Sequence, residues 1–168
     1  YGRLKEYAPF SFTTEETGGI IGNGDITMDW IVHVLKRTVD TQYRTKADRR
    51  HTFLAGSSMG GLMTLYGLLA YPEVFSRGAA LSPSLWIDAE KVKAMIRHAR
   101  VKRNTVLYMD YGALEFADHP HSRSLFAEVS ALLIEKRVLL NSRIVPRGTH
   151  CEASWEKQIP FFMKTLFE

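Results

Sequence analysis

The sequence predicts an α/β protein built around a parallel sheet. Two observations predict it. Short apolar runs bounded by turn residues alternate along the chain with segments of helical period. The chain also has 168 residues, 45% of them hydrophobic and 24% charged, which is the size and composition of one ordinary globular domain. A chain of this length can bury about 70% of its unfolded surface.

The elements follow in order. Residues 1–24, YGRLKEYAPFSFTTEETGGIIGNG, mix glycine, threonine and proline without a sustained period and read as loop. Asp25 reads as the N-cap of a helix in which Ile31, Val34, Leu35 and Val39 recur at helical spacing. HTFLAG (51–56) reads as a short buried strand. LMTLYGLLAY (62–71) is apolar on nearly every side and stops at Pro72, as a buried helix should. RGAALS (77–82) is a second strand. Asp88 caps a helix that turns Val92, Met95, Ile96 and Ala99 inward and Lys91, Lys93, Arg97 and Arg100 to water. NTVLYMDYG (104–112) is a third strand, and Leu125, Val129, Leu132 and Leu133 mark the next helix. LLNSRIVP (139–146) is a fourth strand. Trp155, Ile159, Phe162, Met163 and Leu166 form the stripe of a last helix that Pro160 bends. No repeat, low-complexity tract or linker interrupts the pattern, so residues 1–168 are expected to form a single domain.

Charge narrows the function classes. The net charge is +4, but the basic residues are scattered through RTKADRR (44–50), KVK (91–93) and RHARVKR (97–103). A nucleic-acid surface shows a dense basic patch interleaved with exposed aromatics, and that pattern is missing. No apolar run approaches the length that spans a bilayer, and no stretch reads as a secretory signal peptide. The single cysteine, Cys151, rules out an intrachain disulfide and permits a reducing compartment such as the cytoplasm.

Chemistry concentrates at Gly56-Ser57-Ser58-Met59-Gly60, which fits G-x-S-x-G between a predicted strand and a predicted helix. A turn that tight leaves no room for flanking side chains, which glycine at both outer positions relieves. The middle residue is then held in strained geometry with its hydroxyl lifted from the carboxyl edge of the sheet. The following helix points its positive end at any oxyanion formed there, with the Met59 N–H as one donor. A serine hydroxyl needs a base, and in this arrangement an acid and then a histidine follow, each just past a strand end.

Of six histidines, His33 lies inside a helix, His51 starts a strand and His98 sits on a basic helix. His119 and His121, in HPHSR, precede a helix and lack a third metal ligand nearby. His150 lies in PRGTHCEASW, between the last strand and the last helix, where the general base belongs. The acid is expected in YMDYGALEFADHP. Asp110 belongs to the strand end, Asp118 approaches the next helix, and Glu115 sits mid-loop, three positions after Gly112. Glu115 is the first choice, with Asp110 and Asp118 in reserve.

The segment GSSMGGLMTLYGLLAYPEVFSRGAALSPSLW resembles the signature of the Putative esterase family of α/β-hydrolases. That family includes siderophore trilactone, feruloyl and acetyl-xylan esterases, S-formylglutathione hydrolase and mycolyltransferases. The resemblance extends upstream through DTQYRTKADRR. Downstream it covers MDYGALE and GTHCEASW, similar to the family's G-x-x-[D/E] and G-x-H-x-E-x-x-W. It implies an α/β-hydrolase fold, a three-layer sandwich, with Ser58 as nucleophile, Glu115 as acid and His150 as base. Ser57 and the SPSLW segment line the substrate pocket, with Trp86 as an aromatic wall. A small-molecule ester is the implied substrate, and no metal or organic cofactor is implied.

One departure stands out. The family carries an apolar strand and loop ahead of this region, and a full hydrolase sheet has about eight strands against the four counted here. The domain therefore reads as the carboxyl part of a longer fold lacking its N-terminal strands, including the loop that supplies the second oxyanion donor. Another segment or a second copy of the chain is expected to cover the exposed edge of the first strand. Acyl transfer, thioester or peptide hydrolysis, and a non-catalytic binding domain are the rival functions on the same fold.

Overall fold

Parallel strands cannot be joined by tight turns, so each crossover needs a dozen or more residues, which this chain supplies as helices. The computed structural model describes residues 2–14, 18–118 and 121–168, without the side chain of Asp118. His119 and the Asp118 carboxylate, both named above, lie outside the described part. The region read as loop holds a short helix, α1 (Arg3–Glu6), and a small antiparallel pair, β1 (Phe12–Thr14) and β2 (Gly18–Ile20). These elements are too short to show a period.

Helix α2 (Gly24–Trp30) runs through a π-turn at Ile31–Leu35 into α3 (Lys36–Gln42). Asn23, not Asp25, holds its N-cap position; Asp25 lies in the first turn, where its carboxylate accepts the Ile26 N–H at 2.8 Å. The π-turn inserts a residue and rotates the inward face. Gly24, Met28 and Val32 are buried there, while Val34, Leu35 and Val39 are exposed.

The main sheet comprises β3 (Phe53–Ser57), β4 (Arg77–Leu81), β5 (Val106–Gly112) and β6 (Leu139–Val145), ordered as in the chain and all parallel. β3 is an edge strand and only partly buried, a correction to its reading as a buried strand. His51 falls in a single 3-10 turn ahead of it, with Nδ1 2.7 Å from Asp48 Oδ2. The crossovers are α4 (Met59–Ala70), α5 (Ala89–His98), and the pair α6 (Glu115–Asp118) and α7 (Ser122–Glu135). Asp88 caps α5 as expected, accepting the Lys91 N–H at 3.0 Å.

The two-residue strand period divides the core. Ala80, Leu107, Met109 and Tyr111 face the larger cluster, with Leu62, Leu65 and Leu68 of α4, Val92 and Ile96 of α5, and Val129 and Leu133 of α7. Each fully buried leucine there is worth about 2–5 kcal/mol against alanine. Ala79, Leu81 and Tyr108 face the opposite side and meet Leu166 in a smaller cluster. The chain ends in two helices, α8 (Glu152–Glu156) and α9 (Ile159–Phe167); Pro160 sits in the first turn of α9, so the helix is broken there and not bent. Along its stripe only Leu166 is buried, and Ile159 and Met163 are exposed. The result is three layers, helices on both faces of a parallel sheet, as the sequence predicts. Among the described residues no helix is long and apolar enough to cross a membrane.

Candidate active site

The strand register carries Ser57, Leu81, Asp110 and Arg143 in one row across the carboxyl edge of the sheet. Residues just past that row converge, as is usual for open α/β sheets. Ser58 joins β3 to α4 with φ 57° and ψ −123°, a conformation costing a residue with a side chain about 1–3 kcal/mol. Neighbours hold it there. Its N–H donates to the Leu81 carbonyl at 2.9 Å, and its carbonyl accepts the N–H groups of Leu62 and Ser84, each at 3.1 Å. Glycine is required at Gly56, where a Cβ would lie 2.5 Å from the Gly60 carbonyl oxygen. At Gly60 an added Cβ would meet nothing outside its own helix, so the expected collision there is absent. Gly61 is the second tight position, 3.0 Å from the Leu81 carbonyl.

His150 reaches the same point from the loop after β6. Its Nε2 is 2.9 Å from Ser58 Oγ, and its Nδ1 is 2.7 Å from Glu115 Oε2. A carboxylate only accepts, so Nδ1 carries the proton and Nε2 is left to accept from the serine hydroxyl. Glu115 opens α6 instead of lying mid-loop, because its Oε1 accepts the Gly112 N–H at 2.8 Å and the Ser82 hydroxyl at 2.7 Å. Burial opposes its charge, but the hydrogen bonds from His150, Ser82 and Gly112 together outweigh burial and hold its carboxyl below the usual value. Gly112 and Gly148 touch backbone to backbone, and a Cβ on either would strike the other, so the acid loop and the histidine loop close to this distance only through glycine.

Asp110 does not join this relay. It is buried at 1% exposure and accepts the Tyr108 hydroxyl at 2.7 Å and the Ser82 N–H at 3.2 Å. Burial raises its carboxyl above the ordinary value, against the Tyr108 and Ser82 hydrogen bonds. Met59 opens α4, and the first N–H groups of a helix have no intrahelical acceptor, so its amide is available beside Ser58. Ser57 and Ser58 line a cavity of about 480 Å³ with Arg3, Tyr7, Met59, His150, Glu152 and Trp155. Trp86 is not among its lining; Trp155 supplies the aromatic wall instead. Of the remaining histidines, His33, His98 and His121 are exposed on or beside helices away from this cavity. Among the described residues no three His, Cys, Asp or Glu side chains converge as a metal site.

Of five further contributors, Arg3 and Tyr7 are not singled out in the sequence, while Ser82, Ser84 and Trp155 are tied to the site only as part of the SPSLW and GTHCEASW segments. Arg3 and Tyr7 lie in the region read as loop. Ser84 places its hydroxyl 3.4 Å from Ser58 Oγ, and Ser82 carries the Glu115 contact. Trp155, read as part of an apolar stripe, stacks edge-on against His150 at 5.0 Å. Its place as the tryptophan of GTHCEASW, five residues after His150, is its signal in the sequence.

Residues 22–163 match the family described as Putative esterase. Over 78 residues the chain is 35% identical to the iron(III) salmochelin esterase of Escherichia coli O6:H1 (strain CFT073), covering 46% of this chain and 19% of that protein. The fold superposes on an IroE-like serine hydrolase from Shewanella oneidensis with a TM-score of 0.78 at 19% identity, over 99% of this chain and 56% of the other. For the siderophore hydrolase EstA from Aspergillus nidulans the TM-score is 0.73 at 19% identity, over 98% of this chain and 66% of the other. The chain thus spans about a fifth of the curated relative and 56–66% of these two solved structures. The structural likenesses establish the fold.

Proposed function

The chain belongs to the Putative esterase family, and from that premise we propose that it hydrolyses carboxylic esters through an acyl-enzyme on Ser58. The observation that carries the reading is the unbroken hydrogen-bonded line Ser58–His150–Glu115, whose first two members line a cavity. His150 Nε2 takes the Ser58 proton as Oγ bonds to the ester carbonyl carbon. The Met59 amide, at the positive end of α4, stabilises the oxyanion. His150 then gives its proton to the departing alcohol as the carbonyl–alkoxide bond breaks. Water, deprotonated by the same nitrogen, releases the acid and restores Ser58. Glu115 keeps Nδ1 protonated and the ring aimed.

The substrate we assign is a small-molecule ester of the siderophore type. This rests on the names of the salmochelin and siderophore hydrolases that the chain resembles, and on a cavity of ligand size, about 480 Å³. We also take residues 1–168 to act as one esterase-like domain. The test is p-nitrophenyl acetate turnover and fluorophosphonate labelling in wild type and Ser58→Ala. Both should vanish in the variant; turnover unchanged by the substitution would remove Ser58 from the mechanism.

A further inference from the structure

Four side chains behind Ser58 close into a ring. Trp155 Nε1 lies 3.0 Å from Ser82 Oγ. Ser82 Oγ lies 2.7 Å from Glu115 Oε1, and Glu115 Oε2 lies 2.7 Å from His150 Nδ1. The His150 ring then stands against the Trp155 indole with centroids 5.0 Å apart and planes at 86°. The direction of each hydrogen bond follows from chemistry alone. An indole N–H only donates, so Ser82 accepts there. Its hydroxyl has one proton and a carboxylate only accepts, so that proton is committed to Glu115.

Ser82 is built for this position and no other. It is buried at 1% exposure, and its φ of 41° lies in the left-handed region. Its N–H donates to Asp110, to the carbonyl at 3.0 Å and to the carboxylate at 3.2 Å. Resting on the Ser58–His150–Glu115 reading, we propose that Ser82 and Trp155 are positioning residues of the esterase site. The indole N–H sets the rotor of the Ser82 hydroxyl. That hydroxyl and the Gly112 amide saturate Glu115 Oε1, leaving Oε2 for the imidazole. The ring of the same indole braces the imidazole from the side, so one residue fixes both partners of the acid–base pair.

The experiment compares Ser82→Ala, Trp155→Phe and the double variant. Trp155→Phe keeps an aromatic ring beside His150 while removing the indole N–H, although the smaller phenyl also gives up part of the edge contact. For p-nitrophenyl acetate, Ser82→Ala should lower kcat about 10- to 100-fold with KM within threefold, the loss expected for one hydrogen bond to a charged group. Trp155→Phe should lower kcat about 3- to 10-fold, and in the Ser82→Ala background its added loss should be clearly smaller, since the hydrogen-bond part of its effect passes through Ser82. The downfield proton NMR resonance of His150 Nδ1–H, which needs no turnover, should move upfield or broaden in both single variants. Additive effects on kcat would overturn the coupling. Wild-type kcat and an unmoved resonance in both variants, with Ser58→Ala inactive, would overturn the positioning roles and leave the nucleophile intact. Activity in Ser58→Ala would instead remove the reading on which the proposal rests. Should Ser82→Ala fail to fold, Trp155→Phe still decides through the resonance.

Discussion

Glu115→Gln offers the sharpest test of the acid, because every contact of the carboxylate comes from a donor. Oε1 receives the Gly112 N–H and the Ser82 hydroxyl, and Oε2 receives His150 Nδ1–H. Glutamine keeps the shape but turns one oxygen into a donor. With its oxygen toward His150, the new NH2 faces two donors, and each buried polar group left without a partner costs about 1–3 kcal/mol. With the amide reversed, those two bonds survive and NH2 faces Nδ1. That conflict is relieved when the imidazole shifts its proton to Nε2, the tautomer that cannot accept from Ser58. The active arrangement is therefore disfavoured by about 2–6 kcal/mol. At about 1.4 kcal/mol per tenfold, kcat for p-nitrophenyl acetate should fall between about 30-fold and 10⁴-fold. Thermal melting should confirm that the variant is folded. A loss smaller than tenfold in a folded variant would refute Glu115 as the acid and the tautomer argument with it.

Asp110→Asn should behave oppositely. Burial raises the folded-state carboxyl value of Asp110, so ionisation there works against folding at neutral pH. The Asn oxygen can still accept the Ser82 N–H, so the melting temperature at pH 7 should hold or rise and kcat should stay within about fivefold; a larger loss than in Glu115→Gln would move the acid to Asp110. The pH dependence of stability should carry the Glu115 signature. Its carboxyl is held below the usual value, so its contribution is present above the unfolded value of about 4.3 and lost as pH falls through the lowered folded value. Acid melting curves of Glu115→Gln should accordingly be flatter below about pH 4 than those of wild type, and parallel curves would contradict the assignment. Gly56→Ala should cost about 1–3 kcal/mol or more, because its Cβ would meet the Gly60 backbone at 2.5 Å and backbone cannot rotate away; an unchanged denaturant midpoint would show the elbow to be less tight than this. Ser58→Gly should inactivate while raising the melting temperature by about 2–4 °C. It relieves strain at φ 57° and recovers roughly 1 kcal/mol after the added chain entropy of glycine, whereas a lower melting temperature would mean that the corner is not strained.

How much of this site the sequence disclosed depends on how local each requirement is. Ser58 is legible because the turn itself demands glycine at Gly56, and the demand sits in five consecutive residues. His150 is legible because a parallel sheet delivers its loops to one edge in chain order, and only one histidine follows the last strand of that sheet. The acid is only half legible. Three carboxylates lie within nine residues, and the selection is made by two glycines 36 positions apart, Gly112 and Gly148, whose contact no local pattern encodes. The period of two did carry part of the answer. Asp110 shares the face of Tyr108, which packs toward α9, and so it is spent on the smaller cluster side of the sheet.

The supporting residues are the least legible for a physical reason. Ser82 adopts a left-handed φ without being glycine, so nothing in RGAALSPS announces the turn that aims its hydroxyl. Trp155 looks apolar at helical spacing, and its one polar atom matters only once the strand end carrying Ser82 comes beneath it. Arg3 and Tyr7 enter the cavity from a four-residue helix and its end, too short for any period to emerge. The same logic explains the exposed Val34, Leu35 and Val39: one π-turn shifts the helix face by a residue, and a count at 3.6 cannot see it. What a sequence states plainly is a demand made by neighbours along the chain. Positioning depends on partners brought together by the fold, and here that means a serine past β4, a glutamate opening α6 and a tryptophan of α8 gathered beside one imidazole.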